Sequence, residues 1–341
     1  MLYVRRVQLT GRSTLIVSLP RDWARRAGVG KGSRVLIEVL PDNSLRISPS
    51  FERAERPRAP ERVIDLRSSS ASAAAKALVS AYVAGYRVFR VLHDESGSTI
   101  AQTLRDLVSS KIMDVVVTDE SSSGLTMRVV GSQLDLGIGE AVALAARHVS
   151  YMFRDLVEGM KRGDPSQLQS VRARDDLVDR LYLSLTRRLV AVLSGEVSPA
   201  EAGLESPAEA LHYYHGFKAL ERVADHVASM AEEASKIALR GGSIGEDLVA
   251  MVEEASSIFS RAASALSKLD AGAALRLADE IESRRIEVRR LLESAAGGEA
   301  ARYGLLMSLS RVLGYSLDMV EDVLDVLTLK ELLKSVSEAA R

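Results

Sequence analysis

No proline occurs after Pro207, and from about Leu136 onward the chain repeats apolar residues at steps of three and four. Proline removes a donor and clashes inside a helix, so a long proline-free stretch with this period admits long uninterrupted helices and little else. In one of them Leu211, Tyr214, Phe217, Leu220, Val223, Val227, Met230, Ala234 and Ile237 line a single face. Breaks fall at Gly163-Asp164-Pro165, Ser194 to Pro207, Gly241-Gly242, Leu269 to Gly272 and Ala296-Gly297-Gly298. They divide the stretch into six helices in two sets of three. Each set opens with a helix, a short turn (Gly163-Asp164, then Leu269-Asp270) and a second helix, so the pattern reads as an internal repeat. Two three-helix bundles in series follow, over 133–240 and 241–341. Aromatic residues make up only 4% of the chain, which leaves these cores to Ala, Leu, Val and Ile.

The first 132 residues have other periods. Residues 1–50 read as short strands (Tyr3 to Leu9, Thr14 to Ser18, Arg34 to Val39, Ser44 to Ile47) around one helix, Pro20 to Ala27, which Gly28 ends. The turn Asp42-Asn43 joins the last two strands, and 51–60, with two prolines among charges, is a linker. Residues 61–132 then give β-α-β-α-β-β, a small α/β domain. Its first turn, RSSSAS, carries no glycine-rich phosphate loop. The predicted fold class is therefore mostly α, with a β-rich and an α/β part at the N-terminus.

Net charge is −1, but residues 1–58 hold 12 basic and 5 acidic residues, +7, which leaves −8 for the rest. A polyanionic partner for the N-terminal segment, nucleic acid above all, follows from that asymmetry. Arg5, Arg6, Arg12, Arg21, Arg25, Arg26, Lys31 and Arg34 crowd a stretch whose one acid is Asp22. Fifty residues of short strands bury too little apolar area to stand alone, so an identical partner is expected to complete this unit.

With no cysteine, disulfides, thiolate metal sites and thiol catalysis are excluded. No stretch approaches a membrane span, and a cytoplasmic protein is expected. Gly241 to Gly245 (GGSIG) matches a nucleophile elbow in letters but joins two helices. Gly30-Lys31-Gly32-Ser33 precedes a strand, not a helix, and is a turn. No set of residues arranged for nucleophilic or acid–base catalysis emerges, and the chain reads as a non-enzyme.

Two acidic pairs stand out: Asp175 with Asp179, and Glu221 with Asp225, each at i, i+4 and so on one helix face. Like charges at that spacing cost a few tenths of a kcal/mol unless compensated. One compensation is a cation held between neighbouring helices; the other is an exposed face neutralised by Arg172, Arg180 and Arg222. His226, with His212 and His215 upstream of it on the helix of Glu221, offers a candidate fourth ligand. His226 adjoins Asp225, but adjacent residues diverge by about 100° around a helix, which makes His226 a packing or surface residue.

Val4 to Pro49 (VRRVQLTGRSTLIVSLPRDWARRAGVGKGSRVLIEVLPDNSLRISP) resembles the AbrB/MazE/SpoVT swapped-hairpin DNA-binding domains, with Gly11-Arg12, Leu19-Pro20, the basic helix, Gly28 and Gly32 in order. The resemblance implies an intertwined homodimer that binds DNA through Arg5, Arg12, Arg25 and Arg26, with Arg6 and Arg21 in support. The same fold also serves protein-binding antitoxins. From Leu136 onward the chain resembles PhoU, the phosphate-uptake regulator, through RARDDLVDRLYLSLTRRL (Arg172 to Leu189) and ALERVADHVASMAEEA (Ala219 to Ala234). This implies two three-helix bundles and an iron or zinc site at Asp175, Asp179, Glu221 and Asp225. In the second repeat Ser310 and Gly314 replace the third-helix acids and Arg285-Ile286 falls where a partner to Glu282 belongs, so one site per chain is expected. Together the two resemblances imply a DNA-binding regulator of phosphate uptake of the archaeal PhoU-like type. The alternative they imply is an accessory protein that docks on a phosphate transporter or sensor kinase, its N-terminal domain serving only to dimerise.

Overall fold

A computed structural model describes residues 3–39, 45–49, 60–67, 70–93, 98–131, 136–294 and 300–339. The turn expected at Asp42-Asn43, nearly all of the 51–60 linker and the break at Ala296-Gly297-Gly298 lie outside the described residues. The chain divides into two compact units, Met1–Pro57 with Leu332–Arg341, and Arg58–Glu331.

The first unit contains two separate antiparallel hairpins. In one, β1 (Gln8–Thr10) pairs with β2 (Thr14–Ile16); in the other, β3 (Val35–Val39) pairs with β4 (Leu45–Pro49). Gly11 takes φ 68° in the first turn, a conformation that glycine adopts without steric cost. Between the hairpins α1 (Arg21–Arg26) starts after Pro20 and stops before Gly28 at φ 67°. The first strand is shorter than the alternation of Tyr3 to Leu9 predicts, because residues 3–7 enter no ladder among the described residues.

The second unit begins with β5 (Glu61–Asp65), α2 (Ala71–Val83), β6 (Val88–Leu92), α3 (Ser98–Lys111), β7 (Val115–Ser121) and β8 (Gly124–Val129). The four strands form one sheet in the order β5-β6-β8-β7, with β5 parallel to β6 and the other pairs antiparallel. Ser70 caps α2 by accepting from the Ala73 N–H at 3.2 Å.

Six helices follow: α4 (Ile138–Arg162), α5 (Pro165–Leu193), α6 (Glu209–Leu239), α7 (Glu246–Lys268), α8 (Ala271–Ser294) and α9 (Ala300–Ala339). The two short turns expected to repeat are built alike. Gly163 (φ 60°) and Leu269 (φ 53°) are both left-handed, and each is followed by an aspartate that caps the next helix. Asp164 accepts from Ser166 N at 2.9 Å, and Asp270 from Ala273 N at 2.9 Å.

Among the described residues the two sets of helices share one continuous core, to which all six contribute. Helices α4 and α7 form the seam. Phe153 and Phe259 meet there with ring centroids 5.8 Å apart, Ser150 and Ser260 oxygens lie 3.3 Å apart, and Ser267 donates to the Gly139 carbonyl at 3.0 Å. A Cβ on Gly139 would sit 3.0 Å from the Ser267 carbonyl oxygen, so glycine permits that approach. The α/β part has its own core, which takes in Leu183 from α5.

Candidate functional site

The N-terminal arginines are placed by short elements. Arg5 and Arg6 precede β1, Arg12 sits in the turn to β2, and Arg21, Arg25 and Arg26 lie on α1. All six are exposed, and none is paired with a carboxylate among the described residues. Arg5 lies over the Tyr3 ring at 5.7 Å. Helix α1 has no buried residue, and the hairpins leave their apolar side chains in solvent: Leu15 is 69% exposed, Val39 68%, Leu9 64% and Leu36 62%. Alternating apolar strands with nothing upon them are surfaces made to be covered.

The two acidic pairs meet across α5 and α6. Asp175 is pushed up to about 7, first by burial and then by the charges of Asp179 and Asp225; its Oδ1 is buried and unpartnered. The other three carboxylates have cations. Lys111, at the end of α3, reaches Asp179 at 2.6 Å; Lys218 reaches Glu221 at 2.7 Å and Arg222 reaches Asp225 at 3.1 Å. Burial raises Glu221, and Lys218 pulls it back. Burial works against the Lys111 ammonium, yet Asp179 and then Asp176 and Asp175 leave it above its ordinary value.

The cations differ from those the sequence suggested. Of Arg172, Arg180 and Arg222, only Arg222 serves the cluster. Arg172 approaches Glu232 at 3.9 Å, and Arg180 donates to the Ser109 and Ser110 carbonyls at the end of α3. Lys111 comes from another domain 68 residues away, which no helical spacing announces. A buried cation, Arg187 on α5, donates to the Tyr82 carbonyl in the last turn of α2 and to the Gly85 and Tyr86 carbonyls just beyond it. Both helices of the α/β part thus direct the negative ends of their dipoles at guanidinium groups on α5.

The histidines also separate. His226 stacks on Tyr315 with centroids 5.8 Å apart, a packing role. His212 and His215 face α9 instead of the acidic pairs. His215 Nδ1 lies 2.9 Å from Asp322 Oδ2, and His212 Nδ1 lies 3.8 Å from Asp322 Oδ1 and 3.4 Å from Asp325 Oδ2. Burial pushes Asp322 up to about 7, against the pull of His215. Asp322 and Asp325 went unread in the sequence, although their i, i+3 spacing puts them on one face of α9 and matches His212 and His215 on α6. Among the described residues, His212, Asp322 and Asp325 are the group whose donor atoms all lie within 4.8 Å of one another; the four acids of α5 and α6 do not form one.

Two stretches of the chain match family models, one holding Asp175, Asp179, Glu221 and Asp225 and the other Arg12, Arg21, Arg25 and Arg26. Residues 142–234 match the family described as PhoU domain, and residues 8–55 match the antidote-toxin recognition MazE family of bacterial antitoxins. The chain therefore combines a PhoU domain with a MazE/AbrB-like N-terminal domain. Among solved structures it is similar to PhoU from Pseudomonas aeruginosa, with 18% identity over 56% of this chain and 95% of that one at a TM-score of 0.49. It is also similar to the phosphate transport system regulatory protein PhoU from Streptococcus pneumoniae, with 14% identity, 56% and 93% coverage and a TM-score of 0.47. No curated protein matches the chain. No helix among the described residues is long and apolar enough to cross a membrane.

Proposed function

We propose that this chain is a cytoplasmic, non-enzymatic regulator of phosphate uptake that binds DNA as a homodimer through residues 1–50. The observation that carries the reading is the N-terminal unit itself. Six exposed arginines without carboxylate partners among the described residues lie before β1, in its turn to β2 and on α1, beside hairpins whose apolar side chains are open to solvent. Free guanidinium groups on a small scaffold supply the counterion-releasing contacts to phosphate that dominate DNA affinity. The open apolar faces supply a reason to pair. The match to MazE antitoxins supports this arrangement, and the PhoU domain supports the link to phosphate. In this reading 61–132 is a separate α/β domain and 133–240 and 241–341 are the two halves of a sensing or relaying region.

An iron or zinc ion belongs to the proposal at Asp175, Asp179, Glu221 and Asp225. The buried, unpartnered Asp175 Oδ1 is the feature that suits a cation, and oxygen donors suit a hard or borderline one. Such an ion would supply positive charge that Lys111, Lys218 and Arg222 now provide. Asp175→Asn with Glu221→Gln should then lower the chain's metal content; unchanged content removes the site.

The DNA reading is tested by a salt titration of the full-length chain on DNA from upstream of its own gene, with an unrelated duplex as control. Selective binding that weakens steeply with salt is expected. Arg12→Ala/Arg25→Ala/Arg26→Ala should flatten the log–log slope by about 0.9 for each phosphate contact removed. Equal or absent binding to both duplexes would instead favour a protein that docks on a transporter or sensor kinase, with a head that only dimerises.

A further inference from the structure

The acids between α5 and α6 are largely neutralised by ammonium and guanidinium groups. The cluster between α6 and α9 is not. Two i, i+3 pairs face each other there: His212 and His215 from α6, Asp322 and Asp325 from α9. No Lys or Arg forms an ion pair with Asp322 or Asp325 among the described residues, although the Asp322 side chain is only 3% exposed. A buried carboxylate without a full cationic partner is expensive unless something else supplies the charge.

We propose that His212, Asp322 and Asp325 form a binding site for a divalent transition metal of the zinc type, distinct from the Asp175 cluster, which ties α6 to α9. The separations fit. Ligand bonds of 2.0–2.2 Å in a tetrahedron place neighbouring donor atoms about 3.4 Å apart. His212 Nδ1 stands 3.4 Å from Asp325 Oδ2 and 3.8 Å from Asp322 Oδ1, too long for good hydrogen bonds and right for two edges of such a tetrahedron. One imidazole and two carboxylates are a borderline donor set, which favours Zn²⁺ over Mg²⁺ or Ca²⁺. A fourth position is left to water.

The surroundings hold the donors in place. His215 Nδ1, 2.9 Å from Asp322 Oδ2, fixes the carboxylate so that Oδ1 turns toward His212, the arrangement by which outer hydrogen bonds orient metal ligands. Gly216 allows the approach of α9, because a Cβ there would stand 3.1 Å from Asp322 Oδ2 and 2.7 Å from Leu266 Cδ2. Asp325, 60% exposed, gives the ion a route in from solvent.

The experiment uses the full-length chain stripped with a chelator and titrated with Co²⁺ alone, then with Zn²⁺ as competitor. Expected are the intense visible bands of four-coordinate Co²⁺, quenched by Zn²⁺, and a thermal midpoint that Zn²⁺ raises. Asp325→Asn and His212→Gln should each lower bound metal by one ion per chain, abolish the bands and reduce the rise in thermal midpoint, while Asp175→Asn/Glu221→Gln keeps the bands. Asp325 is exposed, so its variant tests the site without threatening the fold. Absence of the bands in the wild-type chain, their survival in both single variants, or their loss only in the Asp175/Glu221 variant would overturn the assignment.

Discussion

Asp175 is a carboxyl group held at about 7 against an ordinary 3.8, and replacing it by asparagine should make the protein more stable in a pH-dependent way. Between those two values the folded chain binds more protons than the unfolded chain, so the free energy of unfolding falls as pH rises through that window. Above it, the folded state carries a charge that burial, Asp179 and Asp225 all oppose. The full shift would correspond to about 4 kcal/mol, and solvent screening at this half-buried site reduces it to about 1–2 kcal/mol. Asp175→Asn removes that cost and adds an amide that can donate to neighbouring carboxylates. Its stabilisation relative to wild type should be near zero at pH 4 and grow to about 1–2 kcal/mol at pH 8, with a rise of some 2–4 °C in thermal midpoint for each kcal/mol. Thermal and urea unfolding of chelator-treated protein, followed by helical circular dichroism at both pH values, reads this directly. A difference between the proteins that stays constant with pH, or that shrinks as pH rises, refutes the reasoning.

Two further outcomes can be measured. Arg187→Met strips hydrogen bonds from three carbonyls at the end of α2 and should destabilise the chain by about 2–4 kcal/mol, seen as faster amide exchange in α2 and its sheet; unchanged exchange would mean that Arg187 anchors nothing. Leu15→Asp with Leu36→Asp charges the open hairpin faces and should turn a dimer into a monomer by sedimentation with helical content unchanged, whereas an unaltered dimer would place the interface elsewhere.

Much of the fold was legible because it is written in local periods. The six helices and the β-α-β-α-β-β order follow from spacing, and the turns at Gly163-Asp164 and Leu269-Asp270 from the capping chemistry of aspartate. The candidate sites were legible only where one helix carries both partners, as with Asp175 and Asp179. Lys111 and the pairing of His212 with Asp322 bring together residues that are far apart in the chain, and helical spacing says nothing of which faces will meet. The first strand differs for a related reason: the alternation of Tyr3 to Leu9 is real, but residues 3–7 find no ladder partner among the described residues.

The seam between α4 and α7 sets how the helical region can be cut. The sequence repeat invites division near Gly241, but Phe153, Phe259 and the contact of Gly139 with Ser267 put the two halves in one core. A fragment ending at that point would expose the apolar face of α4 that α7 now covers. Its first three helices would then seek another surface, by self-association or aggregation, and in the intact chain all six helices should melt in a single transition.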